Sequence, residues 1–400
     1  NRNNGGEQTE LAGFPHHSLN SYLPKLVKAG YRVAICDQLE DPKLTKTIVK
    51  RGVTELVTPG VALNDDILQS GQNNFLASIW LDSPENGIAF LDISTGEYYV
   101  AQGDNAYTDK LLENFRPNEV LVAKKQRKDF ETLFGTHFHC FSLEDWVYKG
   151  DFAYESLTKQ FNTNSLKGFA IEELSNGILS AGAILHYLSE THHHLQHITS
   201  IKRIVSQEAV WLDRFTIQNL ELYGGTSNTS VSFLAVIDKT LSPMGSRTLK
   251  RWLALPLTSL EQIQKRHQVV AYLVENSEVR EKGREQLQRV NDLERLLSKV
   301  VTTKITPREV IYLKNSLRAI LPIRELALSS SCAALTSLAQ QIHPLDTLCD
   351  RIETMLNEDA PVNILKGEVI KENFSSELDE LRNLSVSGKN YLDQMLEREI

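Results

Sequence analysis

Ser232-Phe233-Leu234-Ala235-Val236-Ile237-Asp238-Lys239-Thr240, then Ser242-Pro243-Met244-Gly245-Ser246-Arg247, Leu249-Lys250-Arg251-Trp252-Leu253 and Pro256-Leu257 follow one another, and a helix start lies among them. Ser242 suits an N-cap, because its hydroxyl can accept from an unpaired amide of the first turn. Pro243 then falls at the first helical position, where no N–H is needed. Leu249, Trp252 and Leu253 are spaced to share one face, which is predicted to point inward. Arg247, Lys250 and Arg251 are predicted to point elsewhere, as a solvated basic face.

Working toward the C-terminus, strand signals fade from about residue 195. His267 to Val274, Asp292 to Val300, Arg308 to Leu321 and Ala333 to Ile342 carry apolar residues at helical spacing. Residues 194–370 therefore read as a mostly α core. Over 371–400, Leu378, Leu381, Leu392, Met395, Leu396 and Ile400 are separated by threes, fours or their sums, with charges between them. This reads as the start of a long lever helix. The pattern has no C-terminal cap and the chain no initiator Met, so a piece of a longer protein is expected.

Toward the N-terminus, residues 67–193 read as a sheet with helices. Phe75 to Leu81, Ile88 to Ile93 and Tyr98 to Ala101 are apolar runs joined by the turns Ser83-Pro84-Glu85-Asn86-Gly87 and Ser94-Thr95-Gly96, as in an antiparallel meander. A helix over Thr108 to Phe115, a strand over Val120 to Ala123 and a helix near Ile171 to Leu188 follow, giving a mixed sheet. Residues 1–66 read as a small α/β piece. Its helix begins near Tyr22 and ends at Gly30, with Pro24 tolerated only in the first turn. Strands over Tyr31 to Cys36 and Val53 to Val57 follow, then a Thr58-Pro59-Gly60 turn. The fold class is thus multidomain, α/β followed by mostly α.

A chain of 400 residues exceeds one hydrophobic core. With 41% hydrophobic and 24% charged residues the composition is that of a globular protein. No apolar run approaches a membrane span, and Asn1-Arg2-Asn3-Asn4-Gly5-Gly6 lacks signal-peptide character. Cys36, Cys140, Cys332 and Cys349 are scattered, without a CxxC pair, so free thiols and a cytoplasmic protein are expected. At a net charge of -8, any DNA contact is expected to be local or carried by parts outside this chain.

Three segments together resemble the MutS family of DNA mismatch-repair proteins. The first comprises Leu11-Ala12-Gly13-Phe14-Pro15-His16-His17, Tyr22 to Val27, Val33-Ala34-Ile35-Cys36-Asp37-Gln38, Arg51-Gly52-Val53 and Val57-Thr58-Pro59-Gly60-Val61. The second is the opening stretch, preceded by Asn219-Leu220-Glu221-Leu222. The third is Asp292-Leu293-Glu294-Arg295-Leu296-Leu297 with Thr306-Pro307-Arg308-Glu309, and later Glu377-Leu378-Asp379-Glu380-Leu381-Arg382. The resemblance implies the end of a mismatch-binding domain, a ribonuclease-H-like connector, a helical core and the root of a DNA clamp. It implies double-stranded DNA with mismatches or small loops as ligand, MutL as partner and a homodimer. It also implies an ATPase domain, with its ATP and Mg, beyond Ile400, and a mismatch-stacking Phe before Asn1. No catalytic site, cofactor or metal is expected within this chain.

Several local features compete with that reading. Gly388-Lys389-Asn390 is the nearest approach to a phosphate-binding loop, but Asn383 and Asn390 stand where Gly and a hydroxyl are required. Asp82 and Asp92 could serve a metal-dependent nuclease of ribonuclease-H-like fold, without a clear third carboxylate. His192-His193-His194 with His197 suggest a metal site, or an exposed polar junction. Lys46, Lys50 and Arg51 form a local cluster that suits DNA phosphates or is a solvated surface cluster. Of these, Arg51 matches the family pattern. Lys124-Lys125-Gln126-Arg127-Lys128 reads as a solvated basic loop, with a nucleic-acid or partner contact as the alternative. MutS-like proteins that act on DNA junctions form a third class, which usually lacks the mismatch-binding domain, so the first segment argues against it.

Overall fold

In the computed structural model of the chain, residues 2–4, 7–9, 13–40, 48–205, 209–223 and 231–399 are described. The chain divides into two units, Asn1–Ile263 with Leu297–Thr302, and Gln264–Leu296 with Thr303–Ile400.

The first unit begins with a small antiparallel pair, β1 (Arg2–Asn4) and β2 (Glu7–Thr9). Helix α1 (Leu19–Lys28) and the antiparallel pair β3 (Val33–Gln38) and β4 (Arg51–Val57) follow. Gly30 has φ +87°, the left-handed conformation that a glycine stop supplies. Pro24 departs from expectation, since it is the sixth residue of α1 rather than a first-turn residue. The carbonyl that loses its helical partner belongs to Asn20, an exposed residue that water can reach, while the Pro24 ring is buried.

The connector is built on β5 (Leu76–Trp80), β6 (Asn86–Asp92), β7 (Glu97–Gly103), β8 (Glu119–Ala123), β9 (Cys140–Leu143) and β10 (Lys202–Arg203). The sheet order is β10-β7-β6-β5-β8-β9. β5, β6 and β7 form the expected antiparallel meander, while β8 pairs parallel to β5. Both faces are buried, so the strands read as apolar runs rather than as an in–out pattern. The period of two survives as a division between two cores. Ala89, Leu91, Tyr98 and Val100 face one core, and Ile88, Phe90, Tyr99 and Ala101 the other.

The helices of this unit are α2 (Asn105–Phe115), α3 (Arg127–Phe134), α4 (Gly150–Gln160) and α5 (Ser175–Glu190). α4 and α5 supply residues to the first core, and α2 and α3 to the second. α5 starts four residues later than Ile171, whose backbone belongs to the preceding turn. Lys124–Gln126 is a 3-10 turn and Arg127 opens α3, so the basic run is not a loop. Among the described residues α6 (Arg214–Asn219), α7 (Phe233–Ile237) and α8 (Pro243–Ala254) follow.

The chain continues along α9 (Leu260–Glu275), α10 (Ser277–Leu287) and α11 (Leu293–Val301), whose residues from Leu297 on count with the first unit, and then through α12 (Pro307–Leu328), α13 (Ala333–Gln340), α14 (Asp346–Met355) and α15 (Ser376–Glu399) of the second unit. Thr306 and Glu309 make a reciprocal capping box, and Pro307 takes the first helical position. α12 continues to Leu328, past Pro322, where the apolar pattern alone suggested a stop at Leu321. Its flanks are held by Arg318, which pairs with Asp346 at 3.0 Å and also with Asp350, and by Arg324, which donates to the Ile342 carbonyl at 2.8 Å. α10 and α14 lie where no helix was read; α10 carries far more charged than apolar residues, and in α14 the two are equal in number.

Candidate nucleic-acid interface and its attachment to the core

Lys50 and Arg51 stand where the chain enters β4, and Arg51 lies opposite Gln38 in the hairpin register. Lys46 lies outside the described residues. The hairpin mouth is closed by the Leu39 amide donating to the Lys50 carbonyl at 2.9 Å. Both basic side chains are exposed, but they are not equivalent. Lys50 pairs with Glu40 at 3.5 Å, whereas Arg51 has no carboxylate partner among the described residues. Thr54 occupies Asp37 at 2.8 Å, so that carboxylate is also engaged within the hairpin.

The base of the hairpin is fastened to the connector by buried polar groups. After β4, Thr58 and Val61 pair across the Thr58-Pro59-Gly60 turn. Glu119, at the start of β8, accepts from the Thr58 hydroxyl, from the Gly60 amide at 3.2 Å and from the Tyr187 hydroxyl at 2.8 Å. Burial, with the Glu119 charge beside it, pushes the Tyr187 hydroxyl well above its ordinary range, so it stays a neutral donor. Arg32 lies over the Phe141 ring at 3.7 Å, adding a cation–π contact to the same joint.

His193 and His197 belong to this mounting and to the sheet. α5 ends at Glu190, so the two do not share a helical face. His193 is buried and bonds the Leu56 carbonyl at 3.1 Å, and His197 bonds the Ile93 carbonyl at 2.7 Å. Burial lowers the His197 pKa. The expected exposed junction is therefore partly a buried brace, and among the described residues no cluster of potential ligands could hold a metal ion.

The far side of the sheet meets α8, and here the sequence expectation fails at Arg247 and Trp252, while Leu249 and Leu253 are half-buried. Ser242 caps the helix by accepting from the Gly245 amide at 3.2 Å, and Pro243 lies in the first turn, as anticipated. The basic residues, however, turn inward: Arg247 is 1% exposed while Trp252 is 45% exposed. The Arg251 guanidinium pairs with Glu97 and donates to the Tyr99 hydroxyl at 2.7 Å. Helical periodicity locates two faces but cannot say which one meets a partner carrying a carboxylate. Asp238 secures the approach to α8, accepting from the Ser246 hydroxyl at 2.6 Å and from the Thr240 amide at 3.0 Å. Burial pushes its carboxyl up, but bonds from Ser246 and Thr240, aided by Lys239, more than offset that and leave it below its ordinary value.

The nuclease geometry is not assembled. Asp92 is fully buried and accepts from Asn73 at 2.9 Å, the Asn74 amide at 3.0 Å and the Ser94 amide at 2.9 Å. Asp82 lies beyond the opposite end of β5 and β6, on the order of 20 Å away at about 3.4 Å per residue. Two metal ions about 4 Å apart cannot bridge that gap. Gly388 to Asn390 lie inside α15, whose amides are committed to the helix and cannot wrap a phosphate. The basic run 124–128 is largely engaged: Lys124 pairs with Glu144 at 3.3 Å, Arg127 with Glu131 at 2.9 Å, and Lys125 lies over Trp80.

Reading from sequence missed Glu119, Glu97 and Tyr99. Glu119 left a trace, as a carboxylate at the head of the apolar run Val120 to Ala123. Glu97, beside an ordinary turn, left none.

The family models of MutS domain I, MutS domain II and MutS domain III match residues 1–66, 74–202 and 215–399, in that order. The DNA mismatch repair protein MutS of Christiangramia forsetii is 60% identical over 400 residues, covering 100% of this chain and 46% of that protein. The MutS of Flavobacterium johnsoniae is 59% identical over 393 residues, 98% of this chain and 45% of its own. That of Bacteroides thetaiotaomicron is 50% identical over 398 residues, 99% of this chain and 46% of its own. The chain thus spans about half the length of these curated relatives. With three consecutive domain models matched and this identity sustained from end to end, the chain belongs to the MutS family of DNA mismatch-repair proteins.

Proposed function

We propose that this chain is the grip and transmission part of a mismatch-recognition protein. Its ligand is double-stranded DNA carrying mismatches or small loops. Lys46, Lys50 and Arg51 neutralise backbone phosphates, which positions the duplex without reading its sequence. A duplex kinks at lower cost where a mismatch has weakened stacking, so deformability supplies the discrimination. ATP and Mg act in an ATPase domain that follows this chain in the full-length protein. That protein works as a cytoplasmic homodimer, and MutL is its partner. Within the chain no catalytic step is assigned.

The observation that carries this reading is a pair of polar joints on the two sides of the connector sheet, the buried one from the β3–β4 hairpin to Glu119 and the half-buried one from Glu97 to Arg251 on α8. Between the two joints lies the packed connector sheet, which would carry a load from the hairpin toward α8. Helices such as α12, with 22 residues, and α15, with 24, are stiff elements about 33 and 36 Å long at 1.5 Å per residue.

The test is titration of the chain against matched and mismatched duplexes over a range of salt. Weak, salt-sensitive binding with little mismatch preference is expected. Arg51→Ala should weaken both complexes alike and reduce the salt slope by about one, while Lys50→Ala, already paired with Glu40, should do less. Binding indifferent to Arg51, or strong selectivity from this chain alone, would contradict the assignment. No helix among the described residues is long and apolar enough to cross a membrane.

A further inference from the structure

Within the first unit lies a cavity of about 710 Å³, a volume suited to a small-molecule ligand. Lys28 at the end of α1, Asn74 and Arg116 of the connector, and Tyr223, Asp238 and Lys250 on the path into and along α8 contribute to its walls. Three of these six are cations and one is a carboxylate. That carboxylate is already occupied: Asp238 Oδ1 accepts from Thr240, and Oδ2 from Ser246.

The cations are not otherwise neutralised. Among the described residues no carboxylate pairs with Lys28, Arg116 or Lys250. Lys28 donates to the Asp66 carbonyl at 2.8 Å, and Arg116 lies over the Tyr223 ring at 4.9 Å. Burial, and then the nearby Arg116, pull the Lys250 ammonium below the ordinary lysine range. Two donors on the same walls are also unspent: Asn74 Nδ2 and the Tyr223 hydroxyl are buried without a hydrogen-bond partner. Asn74 itself is only 6% exposed. Buried donors without acceptors and a desolvated cation facing another cation are each costly. One occupant removes all three costs, namely an anion with several charges and several acceptor oxygens. Phosphate oxygens meet that requirement, since a guanidinium and ammonium groups can donate to them at once.

The geometry points to a binding site in this cavity for a small phosphate-bearing anion, of pyrophosphate size or larger, held by Lys28, Arg116 and Lys250. Asn74 and Tyr223 supply the neutral donors. The site is separate from the DNA-facing hairpin and shares no residue with Lys46, Lys50 or Arg51. The phosphates could belong to an inorganic polyphosphate or to a nucleotide, and the two are separable by experiment.

The test is calorimetric titration of the chain with inorganic pyrophosphate at constant ionic strength, with thermal melts in parallel. Saturable binding that raises Tm is expected, because a ligand bound only by the native state stabilises it by mass action. Arg116→Gln and Lys250→Met should each weaken binding about tenfold or more, and Lys128→Gln on α3 should leave it unchanged. Lys250→Met removes a desolvated charge, so its ligand-free Tm should equal or exceed that of the parent, which separates lost binding from lost fold. ADP binding no tighter than pyrophosphate assigns the site to phosphates alone, and tighter ADP binding assigns it to a nucleotide; both sustain the proposal. Absence of saturable binding at millimolar pyrophosphate, or binding unaltered in both cavity variants, overturns it.

Discussion

Thr58 donates its hydroxyl to the Glu119 carboxylate, and this buried bond fastens the end of the β3–β4 hairpin to the connector sheet. Glu119 also serves Gly60 and Tyr187, so one side chain satisfies three donors that water does not reach. Glu119→Ala would leave all three without an acceptor. We expect a loss of about 3 kcal/mol or more, since each orphaned buried donor costs on the order of 1–3 kcal/mol. Glu119→Gln, which retains one acceptor oxygen, should lie between. Urea unfolding decides the matter; a change under about 0.5 kcal/mol for the alanine variant would remove the joint from the argument.

Gly87 on β6 permits α5 to approach the sheet backbone. A Cβ placed there would lie 1.8 Å from the Asn176 carbonyl oxygen, and the obstructing atoms are main chain rather than a flexible side chain. Ser180 donates to the Gly87 carbonyl at 2.9 Å across the same contact. Gly87→Ala should therefore destabilise by about 1–3 kcal/mol or more, the cost of overpacking a filled core. The check is the shift in urea midpoint at unchanged slope, and a stability equal to the parent's would mean the helix is not seated as described.

Arg251 and Glu97 are separated by 154 residues in sequence, yet form one network with Tyr99. Because Glu97 is largely buried and also accepts from Asn73 at 2.6 Å, losing either partner strands the other. A double-mutant cycle with Glu97→Gln and Arg251→Gln should yield a coupling of about 1–3 kcal/mol. Strict additivity of the two variants would show that α8 is not held through this pair.

Asp238 makes the stability of the α8 approach depend on pH. Its carboxyl is below its ordinary value in the folded protein, so the unfolded chain binds the proton more tightly. The contribution is complete above the ordinary aspartate pKa of about 3.9 and is lost as pH falls through the lower, folded value. Asp238→Asn should thus be less stable than the parent near neutrality, with the gap closing in that acidic window. Unfolding free energies measured in steps between neutral and acidic pH test this, and a gap that widens on acidification would contradict the sign.

Local sequence chemistry was enough to read much of this protein. Ser242 with Pro243, and Gly30, are terminators whose effect depends on their own backbone, and each acts where its residue type predicts. The meander of β5, β6 and β7 was legible because short turns join its strands. The long pattern around residues 232–257 carried the family, since so extended a succession of matching residues rarely arises by chance. Pro24 was misjudged for the opposite reason: local chemistry disfavours it inside a helix, and packing overrides it.

By itself, the sequence determined the strands of the meander, several helices and their caps, the order of α/β and α regions, and membership of the MutS family. It could not assign the face of α8 that is buried, because helical spacing is symmetric between Trp252 and Arg247 until a carboxylate such as Glu97 is brought within reach. Nor could it reveal that Glu119, Thr58 and Tyr187 share one bond network, or that Lys28, Arg116 and Lys250 surround one cavity. Those relations depend on distances across the folded chain, which tertiary packing alone sets.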